Sequence, residues 1–220
     1  MHLYLDSADA GDLDRVLPSP LVYGITTNPT LMKRAALGWS DLPGFVRHVE
    51  TLGARAVHVQ VRSDDTPGML ADAREYLALG DRVRIIVKLP ATRAGFAAAA
   101  ALVAEGADVT MTAVFEPEQA LWSALTGARY AAPYLGRLDD AGRDGRAVIE
   151  AMQDVVGRHG RRADGTDLRL LVASIRTRQD FLDLLHLGVG AVTVPVHLFE
   201  ELTEHEATLA AERAFLADAR

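Results

Sequence analysis

The chain has 220 residues, of which 49% are hydrophobic and 24% are charged, and it carries no cysteine. A chain of this length can bury a large core as one domain, and the missing cysteines exclude a disulfide framework, a thiolate metal site and a cysteine nucleophile. The formal net charge of -7 and the lack of any Lys/Arg block argue against nucleic acid and anionic membranes as partners, so a small-molecule partner is favoured.

The sequence also bears on location. Leu3–Asp6 has the pattern of a short strand, without the basic start and apolar core of a signal peptide. No apolar run is long enough to span a bilayer. Together with the absence of cysteine, these features predict a cytoplasmic protein.

Strand-like runs alternate with helix-like segments along the whole chain. The predicted strands are 3–6, 22–25, 56–62, 83–89, 108–113, 129–134, 168–173 and 191–195. The predicted helices lie near 9–17, 40–53, 67–80, 93–105, 116–126, 144–159, 177–187 and 196–202, several of them after a capping residue such as Thr92. Eight such units predict an α/β fold, a (β/α)8 TIM barrel over residues 1–202.

Three further features accompany the barrel prediction. A doubly wound open sheet is the competing architecture, but no G-x-G-x-x-G follows the first strand. Residues 203–220 are predicted to form an extra C-terminal helix over 203–219. The polar stretch 160–167 is interpreted as a solvated connection.

Lys88 is the most informative residue. It ends the apolar run Val83–Lys88, and a lysine that is desolvated there becomes a neutral amine able to attack a carbonyl. The alternative is a lysine that extends to water, because lysine is seldom fully buried. The rest of the chain has to decide between them.

Strand alternation predicts which side chains point into the barrel, where reactive groups belong at the carboxyl ends of the strands. The predicted inward pairs are Tyr4 and Asp6, His58 and Gln60, Ile86 and Lys88, Thr110 and Thr112, Ala132 and Tyr134, and Val172 and Ser174. A ring of polar groups around an amine suits a substrate with a carbonyl and several hydroxyls. His2 and His58 lie near these inner faces, but their spacing fits no metal motif, so both are interpreted as packing residues.

Seven segments make the sequence resemble the small-subunit transaldolase family, and within it the fructose-6-phosphate aldolases. They are Leu3–Asp6, Gly24–Pro29, Val87–Thr92, Thr112–Phe115, Ala132–Tyr134, Gly136–Asp140 and Ala173–Thr177. They occur in the family's order over nearly the full length. The resemblance implies a class I aldolase that works through a Schiff base.

The same resemblance implies roles for individual residues. Lys88 would form the Schiff base, and Asp6, Thr26 and Asn28 would hold substrate hydroxyls or assist proton movement. The phosphate of an aldehyde would bind to three further residues, Arg137, Ser174 and Arg176. Tyr134 would be the acid/base, acting through a water oriented by Gln60 and Thr112, because an amide cannot itself exchange protons.

Simpler interpretations stay open for several of these residues. Asp6 could cap a helix, and Thr26–Pro29 could be turn chemistry only. Arg137 could pair with Asp139 or Asp140 on a solvated loop. Arg176 has more support for a binding role, because the loops after strands seven and eight of such barrels often bind phosphate.

Three functions compete. Family transaldolases usually carry Glu where Gln60 stands and often Phe where Tyr134 stands, which favours an aldolase that joins or cleaves a dihydroxyacetone unit and an aldehyde. The run Gly136–Asp140 resembles the transaldolases more, so transfer between sugar phosphates is the first alternative. A non-catalytic sugar-phosphate binder is the second.

Two expectations complete the prediction. No cofactor or metal is expected, because the iminium supplies the electron sink that zinc supplies in metal-dependent aldolases. The C-terminal helix carries Leu209, Phe215 and Leu216 beyond a barrel that is already closed, so we expect it to pack on a neighbouring subunit. The resemblance implies a homo-oligomer, a pentamer or decamer.

Overall fold

The structure, a computed structural model, describes residues 1–219, and Arg220, the last residue of the predicted C-terminal segment, lies outside the described part. Eight parallel strands close into one barrel in sequence order, which confirms the (β/α)8 prediction. The strands are β1 (His2–Asp6), β2 (Gly24–Thr26), β3 (Ala56–Gln60), β4 (Arg84–Pro90), β5 (Val109–Val114), β6 (Tyr130–Pro133), β7 (Arg169–Val172) and β8 (Ala191–Val194).

Helices surround the barrel between successive strands. They are α1 (Ala10–Val16), α2 (Pro29–Arg34), α3 (Leu42–Thr51), α4 (Thr66–Leu77), α5 (Arg93–Ala104), α6 (Pro117–Leu125), α7 (Leu135–Asp140), α8 (Gly145–His159), α9 (Arg178–His186), α10 (Val196–Thr203) and α11 (Glu206–Asp218), with a short 3-10 helix at Trp39–Asp41. Helix α5 begins at the predicted cap Thr92, whose side chain accepts a hydrogen bond from the Gly95 amide. The two short helices α2 and α7 were not among the predicted segments, and the predicted helix near 40–53 is divided into the 3-10 helix and α3.

The apolar side chains form two separate layers. The larger cluster lies between strands and helices, and the smaller one fills the barrel interior with Tyr4, Ile86, Tyr130, Leu171 and others. This division follows from strand alternation, since neighbouring residues face opposite sides of the sheet.

The predicted inward pair on β7 is wrong in one member. Leu171 belongs to the inner cluster, whereas Val172 belongs to the cluster that packs on the helices. Ser174 nevertheless reaches the interior because it lies after the strand, where its φ of 60° turns the backbone. Alternation cannot be extended past the last paired residue of a strand.

Aromatic side chains close the barrel at its amino-terminal end. The Tyr4 hydroxyl donates to the Tyr130 hydroxyl over 2.8 Å, and His2 Nδ1 lies 2.8 Å from the same oxygen. The His2 ring stacks on Tyr23 with 3.8 Å between ring centroids. Burial, together with nearby arginines, lowers the pKa of His2 from its usual 6.5 to about 4. This layer forms a closed floor.

The stretch 160–167 is more than the predicted solvated connection. Its Arg162 side chain is only 9% exposed and pairs over 3.6 Å with Asp108, the residue directly before β5. Asp108 also pairs with Arg84 and Arg129. The shared carboxylate therefore ties this loop to the underside of the barrel.

Helix α11 packs differently from the helices of the barrel. None of its residues is buried, and Phe215 and Leu216 are 71% and 57% exposed.

Within residues 1–219, no helix is both long and apolar enough to cross a membrane, and no group of three or more His, Cys, Asp or Glu side chains is placed to hold a metal ion.

Candidate active site

A cavity of about 420 Å³ opens at the carboxyl-terminal end of the barrel. Seven of the ten predicted site residues line it, namely Asp6, Asn28, Gln60, Lys88, Tyr134, Arg137 and Ser174. They come from six different strands or the loops that follow them. The barrel therefore brings together residues that are up to 168 positions apart in sequence.

Lys88 is the central group of this cavity. It lies near the end of β4 with 5% of its surface exposed, and its Nζ donates a 2.8 Å hydrogen bond to the Thr27 carbonyl oxygen. Gln60 is its direct neighbour on β3. The amine is thus held inside the mouth of the barrel, and the alternative of a lysine extended into bulk water does not apply.

Asp6 lies beside the amine, at the end of β1. Thr26 Oγ1 donates a 2.6 Å hydrogen bond to Asp6 Oδ1 and lies 2.7 Å from Thr193 Oγ1. Burial raises the pKa of Asp6, and this effect is opposed by the charges of Lys88 and Arg137 and by the Thr26 hydrogen bond. A carboxyl group of this kind can carry a proton for exchange with a substrate.

The helix-cap interpretation of Asp6 is wrong. Helix α1 is capped by Asp9, whose side chain accepts a hydrogen bond from the Asp12 amide. Asp6 is free of that role because it lies in β1, three residues before the cap.

Asn28 has a capping role and also lines the cavity. Its Oδ1 accepts a 3.0 Å hydrogen bond from the Leu31 amide, and Pro29 is the first residue of α2, as the turn interpretation requires. Because the side-chain oxygen is occupied by the cap, the amide NH2 group is left to donate into the cavity. Turn chemistry here fixes the orientation of a binding group.

Tyr134 and Thr112 form a hydrogen-bonded pair, with 2.6 Å between their oxygens. Thr112 is almost fully buried behind the cavity surface. The Tyr134 ring packs edge-on against Phe115 and lies under the Arg137 guanidinium, whose Cζ is 4.7 Å from the ring centroid. The phenol is therefore fixed on three sides and lines the same cavity as Lys88.

Arg137 and Ser174 are held together by the backbone. The amide of Gly136 donates a 3.0 Å hydrogen bond to the Ser174 carbonyl, which joins α7 to the loop after β7. A Cβ at position 136 would lie 2.7 Å from that carbonyl oxygen, so glycine is required for this approach. The alternative in which Arg137 pairs with Asp139 or Asp140 is wrong, because within residues 1–219 no carboxylate forms an ion pair with Arg137 and Asp140 pairs with Arg176.

Arg176 is placed differently from the other predicted residues. It lies at the rim, where its guanidinium donates two hydrogen bonds, of 2.7 and 2.5 Å, to the two carboxylate oxygens of Asp140. It does not line the cavity. Its proximity to Gly136 puts it next to Arg137 and Ser174, but its charge is already matched by Asp140.

The sequence analysis missed several residues that line the cavity. One of them is Ala113, which has a positive φ of 57°; the predicted residue Ser174 has a similar φ of 60°, and strained backbone of this kind gathers at functional sites. Nothing in the sequence marks Ala113 as unusual, because alanine is ordinary in a strand. Arg34, the last residue of α2, was also missed, although it lies three residues after Leu31 and these two lining residues therefore share one side of the helix.

The pattern of the chain matches known proteins over its full length. A family model described as Transaldolase/Fructose-6-phosphate aldolase matches residues 3–220. A protein of Anaeromyxobacter dehalogenans named "Probable transaldolase" is 34% identical over 218 residues, which cover 99% of this chain and 96% of the relative.

Two further relatives carry the same name. The one from Desulfitobacterium hafniense is 34% identical, with 99% and 98% of the two chains covered. The one from Thermoplasma volcanium is 33% identical, with 99% and 95% covered. With a buried lysine in the mouth of a (β/α)8 barrel and these matches along its length, the chain belongs to the transaldolase/fructose-6-phosphate aldolase family of enzymes.

Proposed function

We propose that the protein is a class I aldolase that joins or cleaves a dihydroxyacetone unit and an aldehyde such as glyceraldehyde 3-phosphate. The observation that carries this proposal is the Lys88 amine, which is nearly buried and lies in one cavity with a carboxyl group, an amide and a phenol. An amine in that setting is the nucleophile that carbonyl substrates require.

In the proposed cycle, Lys88 Nζ adds to the ketone carbon and the resulting carbinolamine loses water, which leaves an iminium. Removal of a proton from the adjacent carbon gives an enamine. The enamine carbon attacks the aldehyde carbon, the new alkoxide takes up a proton, and water then hydrolyses the iminium to release the product and the free amine. Cleavage is the same sequence in reverse.

The surrounding groups have separate tasks in this cycle. Asp6, whose pKa is raised by burial, exchanges a proton with the hydroxyl next to the bond that forms or breaks. Tyr134, fixed by Thr112, removes the proton from the carbon next to the iminium, and returns it to the enamine carbon in the reverse step, through a water that Gln60 orients. Asn28 donates to a substrate oxygen near the imine.

Arg137 and Ser174 are proposed to bind the phosphate of the aldehyde. The two residues lie on the β6 and β7 side of the cavity, and the guanidinium is free of a carboxylate partner in the described part of the chain. Arg176 is proposed to support this position from the rim, because its guanidinium occupies the space beside Gly136 that a side chain would fill.

Borohydride reduction tests the central step. The intact protein is incubated with dihydroxyacetone or fructose 6-phosphate, reduced, weighed by mass spectrometry and mapped by peptides. The proposal expects the mass of the reduced donor on Lys88. No added mass with either ketone would reject a Schiff-base enzyme and leave the sugar-phosphate binder.

A transaldolase is the second candidate, and the names of the three relatives favour it. The two reactions share the lysine adduct and differ in what removes the donor. Consumption of fructose 6-phosphate without an acceptor indicates the aldolase, and consumption that requires erythrose 4-phosphate indicates the transaldolase.

We also propose a homo-oligomer, a pentamer or decamer, in which α11 packs on a neighbouring subunit. A helix of 13 residues without a buried side chain is marginal in water unless it docks. Its exposed Phe215 and Leu216 supply an apolar face for that contact. Light scattering at micromolar concentration tests this, and a monomer would contradict it.

A further inference from the structure

Gln119, the third residue of α6, joins two loops at the mouth of the barrel through its side-chain amide. Its Oε1 accepts hydrogen bonds from the amides of Phe115, over 2.7 Å, and Glu116, over 3.0 Å. Its Nε2 donates a 3.1 Å hydrogen bond to the Ala91 carbonyl oxygen. These partners determine the orientation of the amide, because two N–H donors require the oxygen and a carbonyl requires the NH2 group. Gln119 does not line the cavity, and the proposed cycle gives it no task.

Helix capping accounts for only part of this arrangement. Glu116 is the residue before α6, and a glutamine three positions later commonly accepts a hydrogen bond from the amide of that residue. The contact with Ala91 is of another kind, because Ala91 lies directly after β4 and 28 positions before Gln119 in the chain. The cap of α6 does not need a donor to the loop of a different strand.

The contact lies where the regular pairing of β4 and β5 ends. Pro90 and Thr112 are the last paired residues, and the Ala91 amide donates a 2.8 Å hydrogen bond to the Thr112 carbonyl. The next residue, Ala113, has a φ of 57°, and the pairing of β5 with β6 shifts at this point. Beyond it, the side chain of Gln119 continues the link between the two strands.

These contacts form a closed circuit that includes the phenol. Phe115, whose amide is bound by Gln119, packs its ring edge-on against Tyr134, with 5.8 Å between the ring centroids. The Tyr134 hydroxyl lies 2.6 Å from Thr112 Oγ1. Thr112 is bound through its carbonyl to Ala91, which completes the circuit at Gln119. A shift of the Gln119 amide therefore moves the surface against which the phenol packs.

The circuit is tied to the reactive amine and supported from outside. Ala91 follows Lys88 by three residues on the same strand and loop, so the circuit relates the position of the phenol to that of the amine. Arg143 supports the loop after β5, since it donates a 3.1 Å hydrogen bond to the Phe115 carbonyl and bonds of 2.6 and 2.9 Å to the Glu116 carboxylate.

We propose that Gln119 is a positioning residue that holds the Tyr134 phenol where it can exchange a proton with the donor bound to Lys88. This inference rests on the proposed Schiff-base function. Gln119 itself touches no substrate. The step that depends on it is the removal of a proton from the carbon next to the iminium, and the formation of the iminium does not depend on it.

Two assays with dihydroxyacetone alone separate these steps. Borohydride trapping measures iminium formation at Lys88. Exchange of the carbon-bound hydrogen of the donor for deuterium in D2O, followed by NMR and corrected for the exchange without enzyme, measures proton removal in the absence of any aldehyde.

Gln119→Glu is the main variant. At neutral pH its carboxylate can still accept hydrogen bonds from the two amides at the start of α6, but it cannot donate to Ala91. Gln119→Ala removes all three contacts. Gln179→Glu is the matched control, because Gln179 is an exposed glutamine in the first turn of α9, at the same end of the barrel, and does not line the cavity. Thermal unfolding checks that each variant is folded.

We expect Gln119→Glu and Gln119→Ala to slow the exchange by about 10- to 100-fold, the scale of a reacting group misplaced by about 1 Å, and to leave the borohydride adduct nearly unchanged. Phe115→Leu keeps the backbone amide that Gln119 binds but removes the ring, so it should slow the exchange in the same way. Gln179→Glu should change neither measurement.

The outcomes distinguish the two levels of the proposal. No adduct in the wild type would reject the Schiff-base function itself. Unchanged exchange in Gln119→Glu or in Phe115→Leu, or a parallel loss of adduct and exchange in Gln119→Glu, would overturn the positioning role and leave the Schiff-base function standing. An adduct without exchange in the wild type would overturn the acid/base role of Tyr134 and the role of Gln119 with it.

Discussion

Replacing Tyr134 by phenylalanine tests the acid/base proposal most directly. The change removes one hydroxyl and keeps the ring that packs against Phe115 and under Arg137. We expect acceptor-independent cleavage of fructose 6-phosphate to fall by about two to four powers of ten, the usual scale of a lost acid/base. Transfer to erythrose 4-phosphate should fall less, because the enamine need not be protonated before it meets an aldehyde.

The structure also gives the expected cost in stability. Thr112 is almost fully buried, and Tyr134→Phe removes the partner of its hydroxyl at 2.6 Å. A buried polar group left without a partner costs about 1–3 kcal/mol. For a chain of this length that lowers Tm by roughly 2–12 °C. Thermal unfolding followed by circular dichroism measures this shift.

Thr112→Val is the matched control, because it deletes the same hydrogen bond from the other side and keeps the phenol. It should show reduced stability but lose much less activity than Tyr134→Phe. The activities are measured side by side, with and without erythrose 4-phosphate. An equal loss of cleavage and transfer in Tyr134→Phe would refute the proposed role of the phenol, and so would equal losses of cleavage in the two variants.

Four further outcomes are expected. Lys88→Arg should abolish turnover and the borohydride adduct while the far-ultraviolet circular dichroism stays unchanged, since arginine stays protonated; an adduct in this variant would remove Lys88 as the nucleophile. Gln60→Glu should raise transfer relative to acceptor-independent cleavage, because a carboxylate can exchange the proton that an amide only orients; an unchanged ratio would remove the main support for aldolase over transaldolase. A chain shortened before Glu206 should be smaller than the full-length assembly in light scattering, and an unchanged subunit number would contradict the docking of α11. The pKa of His2 is lowered from its usual 6.5 to about 4 in the folded protein, so between these pH values the unfolded chain binds more protons than the folded one. The free energy of unfolding should therefore fall as pH falls from 6.5 towards 4. In urea unfolding His2→Gln should reduce this dependence on pH, and an unchanged dependence would contradict the reasoning.

The barrel was predictable because its signal is periodic and repeated. Each strand is an apolar run of ordinary length, and the two layers of side chains follow the alternation along β4, where Ile86 and Lys88 share the inner side. Prediction failed where the chain leaves a regular element. Val172 was wrongly predicted to face inward, because the positive φ of Ser174 after β7 breaks the alternation that would link the two residues. The short helices α2 and α7 have too few residues to show a helical period.

The site could be predicted only as far as strand ends and the family resemblance reach. Asp6 and Gln60 are the last residues of their strands and Lys88 lies two residues before the end of β4, so their convergence follows from the fold. The state of an arginine does not follow from it. Among the described residues Arg137 has no carboxylate partner while Arg176 pairs with Asp140, and this difference depends on which carboxylate lies within reach in three dimensions.

The closed floor of the barrel affects the order in which substrates can act. Tyr4, Tyr130 and His2 seal the end beneath Lys88, so any molecule that reaches this amine passes through the same mouth. If Lys88 holds the donor as proposed, the ketone has to enter first, and a bound aldehyde then lies between the adduct and the solvent. Steady-state kinetics should therefore show inhibition by high aldehyde concentrations, because the occupied mouth slows both the entry of hydrolytic water and the escape of the donor.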